Sequence, residues 1–413
     1  MTNLIIWDVY RFKAYLNKPL YKGSFYITLT SFFNAVFGLL FWFTAAKLYT
    51  SVELGYATAM ISAMSLLDLL SKLGFDQYII RFLPEDNRDM VISNSIVLVF
   101  ASSLILGIFS VLFWAELFKG TILFLLCLLS SSLISITSNI FIAMRRSDLY
   151  FLQNLILGAR IILLFLLVPL GSLGIFSSMG MSFLLALVIS FYFLWKMNIT
   201  FNFNLRPILK ADIIFFLLGN YLTTVLMLAP SQVLPILVFK VLGPENTAYY
   251  YIAYSITSLL LIVPYAISTS MFVEGSYGEH MSKIFRQSIL IIILILLPIT
   301  LLFLFFSGSI LELVGGNYMG AEEVMQIMIP STIFISIYLV YISMDKIMKN
   351  NRNIISVSGF AFISLVGMSY IFMNDFGLIG IGYAWFLSYG FCVILAYMLH
   401  KDINSDIKRE IYV

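Results

Sequence analysis

The sequence predicts an all-α integral membrane protein of about twelve transmembrane helices, and three observations carry that prediction. Hydrophobic stretches of roughly twenty residues recur along the whole chain, the length at which a helix crosses a bilayer. The 413 residues are 61% hydrophobic and only 11% charged, so no polar stretch is long enough for a separate soluble domain. The Lys and Arg residues fall almost entirely in alternate joints between the stretches. Within a bilayer core each backbone polar group must find its partner inside the segment, so runs of this length are helices.

In chain order the spans are 24–46, 56–82, 91–115, 121–143, 152–171, 174–195, 213–239, 247–273, 287–306, 324–344, 354–373 and 378–399. The first follows a charged leader, residues 1–23, and is too long for the apolar region of a signal peptide, so it reads as an uncleaved helix. On one side of the membrane lie Arg11, Lys13, Lys18, Lys22, Arg81, Arg88, Arg145, Arg146, Lys196, Arg206, Lys210, Lys283, Arg286, Lys346, Lys349, Arg352, Lys401, Lys408 and Arg409. The other side has only Lys47, Lys119 and Lys240, and Lys72 and Arg160 lie inside spans. So strong a positive-inside bias predicts a multi-pass protein of the cell (plasma or inner) membrane with both termini cytoplasmic.

A composition break at KMNITFNFNLRPILK, 196–210, separates six spans from six. The expected organisation is a cytoplasmic leader 1–23, a six-helix lobe 24–195, a linker 196–212, a second six-helix lobe 213–399 and a cytoplasmic tail 400–413. Four local matches suggest that the lobes repeat: Lys47-Leu48-Tyr49 with Lys240-Val241-Leu242, Arg81-Phe82-Leu83 with Met271-Phe272-Val273, Met144-Arg145-Arg146 with Met344-Asp345-Lys346, and Leu173-Gly174-Ile175 with Phe376-Gly377-Leu378. An even number of helices per repeat gives both halves one orientation, hence a pseudo-two-fold along the membrane normal and a transporter architecture. A channel would show a filter or a charged ring, and none is recognisable.

Charges inside spans mark candidate sites, because each one near the bilayer centre costs about 2.5–3.5 kcal/mol on insertion scales. Asp68, Lys72 and Asp76 stand at i, i+4 and i+8 in the second span and are expected on one helix face. Two readings are open: a substrate site in which Lys72 binds an anionic headgroup while Asp68 and Asp76 couple ions, or a self-paired structural ladder. Arg160 lies in the fifth span, where it either faces a phosphate in its forked geometry or snorkels to the interface. Arg81 is a gate or headgroup contact at the basic mouth, or a plain topology signal. Asn34, Asn139 and Asn220 suit interhelical hydrogen bonds, and Asn220, between Gly219 and Tyr221, also suits a sugar. Pro230 and Pro235 in the seventh span and Pro264 in the eighth are expected to kink their helices. Cys127 and Cys392 both fall within spans and define no disulfide framework. The two histidines, His280 and His400, sit at span ends; no metal site, cofactor or nucleic-acid partner is expected.

The chain resembles a known family in AAKLYTSVELGYATAMISAMSLLDLLSKLGFDQYIIRFLPE (Ala45 to Glu85), in GNY at Gly219, in PSQVLP from Pro230 to Pro235, in VLGPENTAYYYIAYSITSLL and in SMFVEGSYGE. It is similar to the oligosaccharide flippases, O-antigen flippases among them, of the polysaccharide-transport family. That family lies in the multidrug/oligosaccharidyl-lipid/polysaccharide exporter superfamily. The resemblance covers essentially the whole chain. It implies a pair of six-helix lobes carrying a polyprenyl-linked oligosaccharide from the cytoplasmic to the outer leaflet by alternating access, for surface polysaccharide assembly. It also implies a lipid-linked substrate with membrane lipid as surroundings, and polysaccharide assembly proteins are candidate partners. With no phosphate loop for nucleotide hydrolysis, the candidate driving forces are a proton or sodium gradient or substrate flux, and uncoupled transport is also open. Lys72, Arg160, Asp68 and Asp76 match the residue types of that family's cavity.

The alternative is a cation-coupled multidrug antiporter of the same superfamily, which is expected to place a carboxylate in its first helix; residues 24–46 contain none. A major-facilitator transporter would have a Gly- and Arg-rich joint after the second helix, where this chain reads PEDNRDM. An enzyme reading lacks support: the outer joints are short, the longest being 307–323 with Glu312, and no Gly-rich phosphate loop is present.

Overall fold

The structure, a computed structural model, describes residues 19–84, 87–113, 120–277 and 280–400. Most of the leader, the tail beyond His400, Lys119 and parts of the PEDNRDM and SMFVEGSYGE motifs therefore lie outside the described residues. Among those described, every regular element is helical. The helices of the first half are α1 (Pro19–Leu48), α2 (Ser51–Ser71), α3 (Phe75–Phe82), α4 (Arg88–Phe113), α5 (Thr121–Ala143), α6 (Ser147–Leu157), α7 (Arg160–Leu166) and α8 (Ser172–Lys196). Then follow α9 (Ala211–Leu242), α10 (Pro244–Leu260), α11 (Ile262–Ser276), α12 (Met281–Phe305), α13 (Ser307–Val314), α14 (Glu322–Ile347), α15 (Asn351–Phe376) and α16 (Ile379–Leu399). Among the described residues eleven helical stretches are long and apolar enough to span a membrane, and α10 with α11, bent by 44°, makes a twelfth when taken as one span. This is the expected all-α membrane fold, with each predicted span matched by helix.

Three spans are broken; the second and fifth differ from the continuous helices expected, whereas the eighth bends where Pro264 is expected to kink it. The second ends as α2 at Ser71 and resumes as α3, because Leu73 (φ 49°) and Gly74 (φ 83°) take left-handed backbone between them. The fifth tightens at Gly158–Ala159 into three-residue turns, with Gly158 N–H donating to Leu155 O at 3.0 Å and Ile161 N–H to Gly158 O at 3.1 Å. A Cβ at Gly158 would stand 2.7 Å from the Phe37 ring of α1, so glycine is what lets the two helices approach there. The eighth bends at Leu261, just before Pro264, whose missing N–H removes the bond that would continue α10. Pro230 and Pro235 lie inside α9, which continues through both positions from Ala211 to Leu242. The outer joint 307–323 is not a plain loop: it folds as α13 and a 3₁₀ helix, Gly316–Ala321, tied by Ser307 Oγ donating to Glu322 Oε1 at 3.0 Å.

The described residues fall into two compact units: those up to 48 together with 64–221, and 49–63 together with 222 onward. In the first, α5 packs on α8 and α4. Gly180 lies so close to Cys127 that a Cβ there would come within 2.0 Å of its sulfur. Phe75, Tyr78 and Ile79 of α3 join Ile136 and Ile140 of α5 and Leu217 of α9 in one buried cluster. Gln153 adds a polar tie, its amide donating to Thr137 Oγ1 at 2.7 Å and Ser190 Oγ at 3.0 Å while Ser138 donates to its oxygen at 2.7 Å. In the second unit α14 is central, packing against α10, α11, α12 and α16, and α15 packs on α16.

Candidate substrate site

The break between α2 and α3 is assembled from the backbone outward. A helix that stops in the middle of an apolar span leaves carbonyls without intrahelical donors, and in a membrane each must be satisfied locally. Here hydroxyl groups do so. Tyr221 of α9 donates to Leu70 O at 3.1 Å, Ser102 of α4 to Ser71 O at 2.5 Å, and Ser71 to Asp68 O at 2.8 Å. Ser71 and Ser132 share a further bond of 3.1 Å. The turn closes with Phe75 N–H donating to Lys72 O at 2.8 Å. Gly74 is fixed twice over, by its φ and by the Leu217 carbonyl, which a Cβ would meet at 2.6 Å.

Within this turn Lys72 Nζ lies 2.9 Å from Asp68 Oδ2, with side-chain exposures of 19% and 14%. The other carboxylate oxygen, Asp68 Oδ1, is buried and has no hydrogen-bond partner among the described residues. The pair is therefore half-open: the part-exposed ammonium retains two donors for a ligand, while the unpartnered carboxylate oxygen is enclosed by protein.

Of the six residues expected from sequence, Asp68 and Lys72 are joined directly, by an ion pair. The continuous face of Asp68, Lys72 and Asp76 is corrected by the break, because Asp76 belongs to the first turn of α3 and makes no ion pair among the described residues. An acidic residue there complements the helix N-terminus, and Arg81, exposed in the last turn, complements the other end. Arg160 opens α7, with its guanidinium carbon 5.1 Å from the Phe41 ring centroid of α1 in a cation–π contact. Asn220 donates to Phe216 O of its own helix at 2.8 Å, while its neighbour Tyr221 reaches the break. Asn34 forms an interhelical bond to Asn154 Oδ1 at 2.9 Å; Asn139 bonds back to Ser135 O at 3.1 Å.

Two constellations in the second unit escape the sequence reading. One is a chain of aromatic rings: Tyr250 stacks on Tyr254 at 6.2 Å, and Tyr254–Trp385, Trp385–Tyr389 and Tyr389–Tyr338 follow at 5.8 Å each. It ends in a 3.0 Å bond between the Tyr338 and Ser358 hydroxyls. The i, i+4 spacing of Tyr250 with Tyr254 and of Trp385 with Tyr389 was visible, but nothing in it said that the two helices meet. The other is a buried ion pair. His400 Nε2 lies 2.9 Å from Asp345 Oδ1 and His400 Nδ1 2.8 Å from Ala396 O. The Ala396 carbonyl can only accept, so Nδ1 carries a proton, and the Asp345 carboxylate at Nε2 favours the protonated ring. Burial pushes its pKa down, but the bonds to Asp345 and Ala396 raise it and prevail, leaving it above the ordinary 6.5.

No protein-family model and no curated protein matches the sequence. Solved structures do match the fold. The lipid II flippase MurJ, in an inward closed conformation, superposes with a TM-score of 0.75 at 15% identity, over 91% of this chain and 87% of that one. An inward-facing multidrug resistance MATE family transporter of the MOP superfamily gives 0.68 at 17% identity, over 91% and 96%. A MOP superfamily transporter from Pyrococcus furiosus gives 0.54 at 16% identity, over 96% of each chain. The chain thus has the fold shared by these flippase and MATE transporter structures.

Proposed function

We propose that this protein is a flippase that moves a polyprenyl-linked oligosaccharide from the cytoplasmic to the outer leaflet of the cell membrane by alternating access, in surface polysaccharide assembly. Its two six-helix lobes, 24–195 and 213–399, join through the linker 196–212, and both termini are cytoplasmic. The observation that carries the reading is the broken second span. A half-buried lysine held by one oxygen of a carboxylate, on a backbone turn whose carbonyls are capped by hydroxyls, suits a phosphate-bearing headgroup. The fold supports the class of activity, and the lipid-linked substrate named for MurJ supports the type of cargo.

In this mechanism the phosphate of the headgroup meets Lys72, while Asp68 keeps the ammonium oriented. Exchange of Lys72 between Asp68 and phosphate leaves the carboxylate open to a proton or sodium ion, which provides a route for coupling; Asp76 is the second carboxylate available for it. Arg160 and Arg81 supply further positive charge, and Asn220 and Tyr221 polar contacts for sugar.

Proteoliposomes with a labelled polyprenyl-linked oligosaccharide, no nucleotide and an imposed proton or sodium gradient test the proposal. Protein-dependent leaflet transfer is expected. Efflux of a cationic dye with no lipid transfer would assign the chain to drug export instead.

A further inference from the structure

The linker after α8 is a fastened strap. Between Asn198, which takes positive φ (53°), and Arg206, alternate backbone N–H groups donate to side chains in the first turns of α4. Thr200 N–H donates to Asp89 Oδ2 at 3.1 Å, Asn202 N–H to Ser93 Oγ at 3.0 Å, and Asn204 N–H to Asn94 Oδ1 at 2.9 Å. Asn94 returns a bond to Asn204 O at 2.7 Å, and the Thr200 hydroxyl also donates to Asp89. Alternation of this kind belongs to an extended chain, whose successive N–H groups point to opposite edges. The N–H groups of Phe201, Phe203 and Leu205 thus line the edge away from α4, and no hydrogen bond to them occurs among the described residues.

Under the strap lies a cavity of about 260 Å³ between α4 and α8, lined by Ile92, Ile96, Phe191, Leu194, Trp195 and Phe201, with Ser93 and Thr200 as its polar members. Trp195 and Phe201 are 75% and 78% exposed at its rim. Lys196, directly after Trp195, is exposed, as are Arg206 and Lys210. Asp89 is committed to Thr200 and to Arg88 at 3.2 Å, and Asp212 is the one other carboxylate among the described residues of 87–90 and 196–212. An apolar recess, aromatic rim, open row of N–H donors and excess positive charge coincide on the basic side of the membrane.

We propose that this corner holds one anionic phospholipid of the leaflet on the basic side. Its acyl chain enters the recess between α4 and α8, and its phosphate meets the free edge of the strap with Lys196 and Arg206. The interhalf linker is then clamped between α4 and a resident lipid.

The test uses the full-length protein in phosphatidylcholine nanodiscs doped with phosphatidylglycerol that has a diazirine on one acyl chain, with phosphatidylcholine bearing the same chain as control. Adducts are expected in residues 191–201 and at Ile92 or Ile96, with a preference for the anionic probe of roughly fivefold, as expected of a basic residue near an anionic lipid. Ile96→Trp should fill the recess and abolish the adducts. The surface double variant Lys196→Gln/Arg206→Gln, which leaves the fold's core untouched, should keep the adducts but remove the anionic preference. Equal labelling by both probes, adducts confined to other segments, or preferential labelling by a polyprenyl phosphate probe would each overturn the assignment.

Discussion

Two ion pairs in this molecule are built from similar groups and differ in how they are enclosed. Asp68–Lys72 sits at a helix break with 14% and 19% of its side chains exposed and one carboxylate oxygen unpartnered. Asp345–His400 is 1% and 3% exposed and joins the end of α14 to the residue after α16, with His400 bonded at both nitrogens. Each carboxylate has one buried oxygen without a hydrogen-bond partner among the described residues, Asp68 Oδ1 and Asp345 Oδ2, so that feature does not separate the pairs. Exposure does: Asp345–His400 is enclosed, and removing one partner leaves a buried charge uncompensated. Lys72 is part-exposed and its ammonium retains donors beyond the bond to Asp68, so the more open pair is the functional candidate.

The largest expected effect on stability comes from Asp345→Asn, which strands the imidazolium. Removing one partner of a buried pair costs about 3–5 kcal/mol, so a large fall in thermal midpoint in detergent is expected, with transport per folded molecule retained. Lys72→Ala should do the opposite, lowering transport by at least about tenfold, the worth of one charge-assisted bond, with the melting temperature little changed. Exchange of these two phenotypes would break the comparison.

Gly74→Ala forces a Cβ to 2.6 Å from Leu217 O at a left-handed φ. Strain of about 1–2 kcal/mol is expected from the backbone alone, and loss of both transport and stability should follow if the break positions Lys72. Tyr221→Phe removes only the bond to Leu70 O and should cost about 1 kcal/mol, read as a modest melting shift.

The smallest effect is a pH dependence. His400 has a raised folded pKa, so its contribution is fully present below the unfolded value near 6.5 and fades as pH rises through the folded one. Melting temperature should therefore decline on the alkaline side of 6.5, and His400→Gln should flatten that decline. An unchanged slope in the variant would remove His400 as its origin.

The twelve spans were legible because lipid imposes a length and a composition on any crossing helix, and Thr121–Ala143 matched its predicted bounds residue for residue. The breaks were harder to read. Gly74 stood in plain view, but its need for left-handed backbone depends on Leu217, far along the chain, and the same sequence in a straight helix would have aligned Asp68, Lys72 and Asp76. Asp68 and Lys72 did pair as their i, i+4 spacing implied; Asp76 left their face because two residues between them changed hand. His400 and Asp345 lie 55 residues apart, so their meeting depended on the packing of α14 against α16.

The central claim is that the half-open pair at the α2–α3 break handles the phosphate of a lipid-linked sugar. Leaflet transfer of a labelled polyprenyl-linked oligosaccharide, measured side by side for the wild type, Lys72→Ala and Lys72→Arg in proteoliposomes at equal reconstituted protein, tests it most directly. The account predicts transfer in the wild type, near-loss in Lys72→Ala and partial recovery in Lys72→Arg. Wild-type transfer in Lys72→Ala would contradict it.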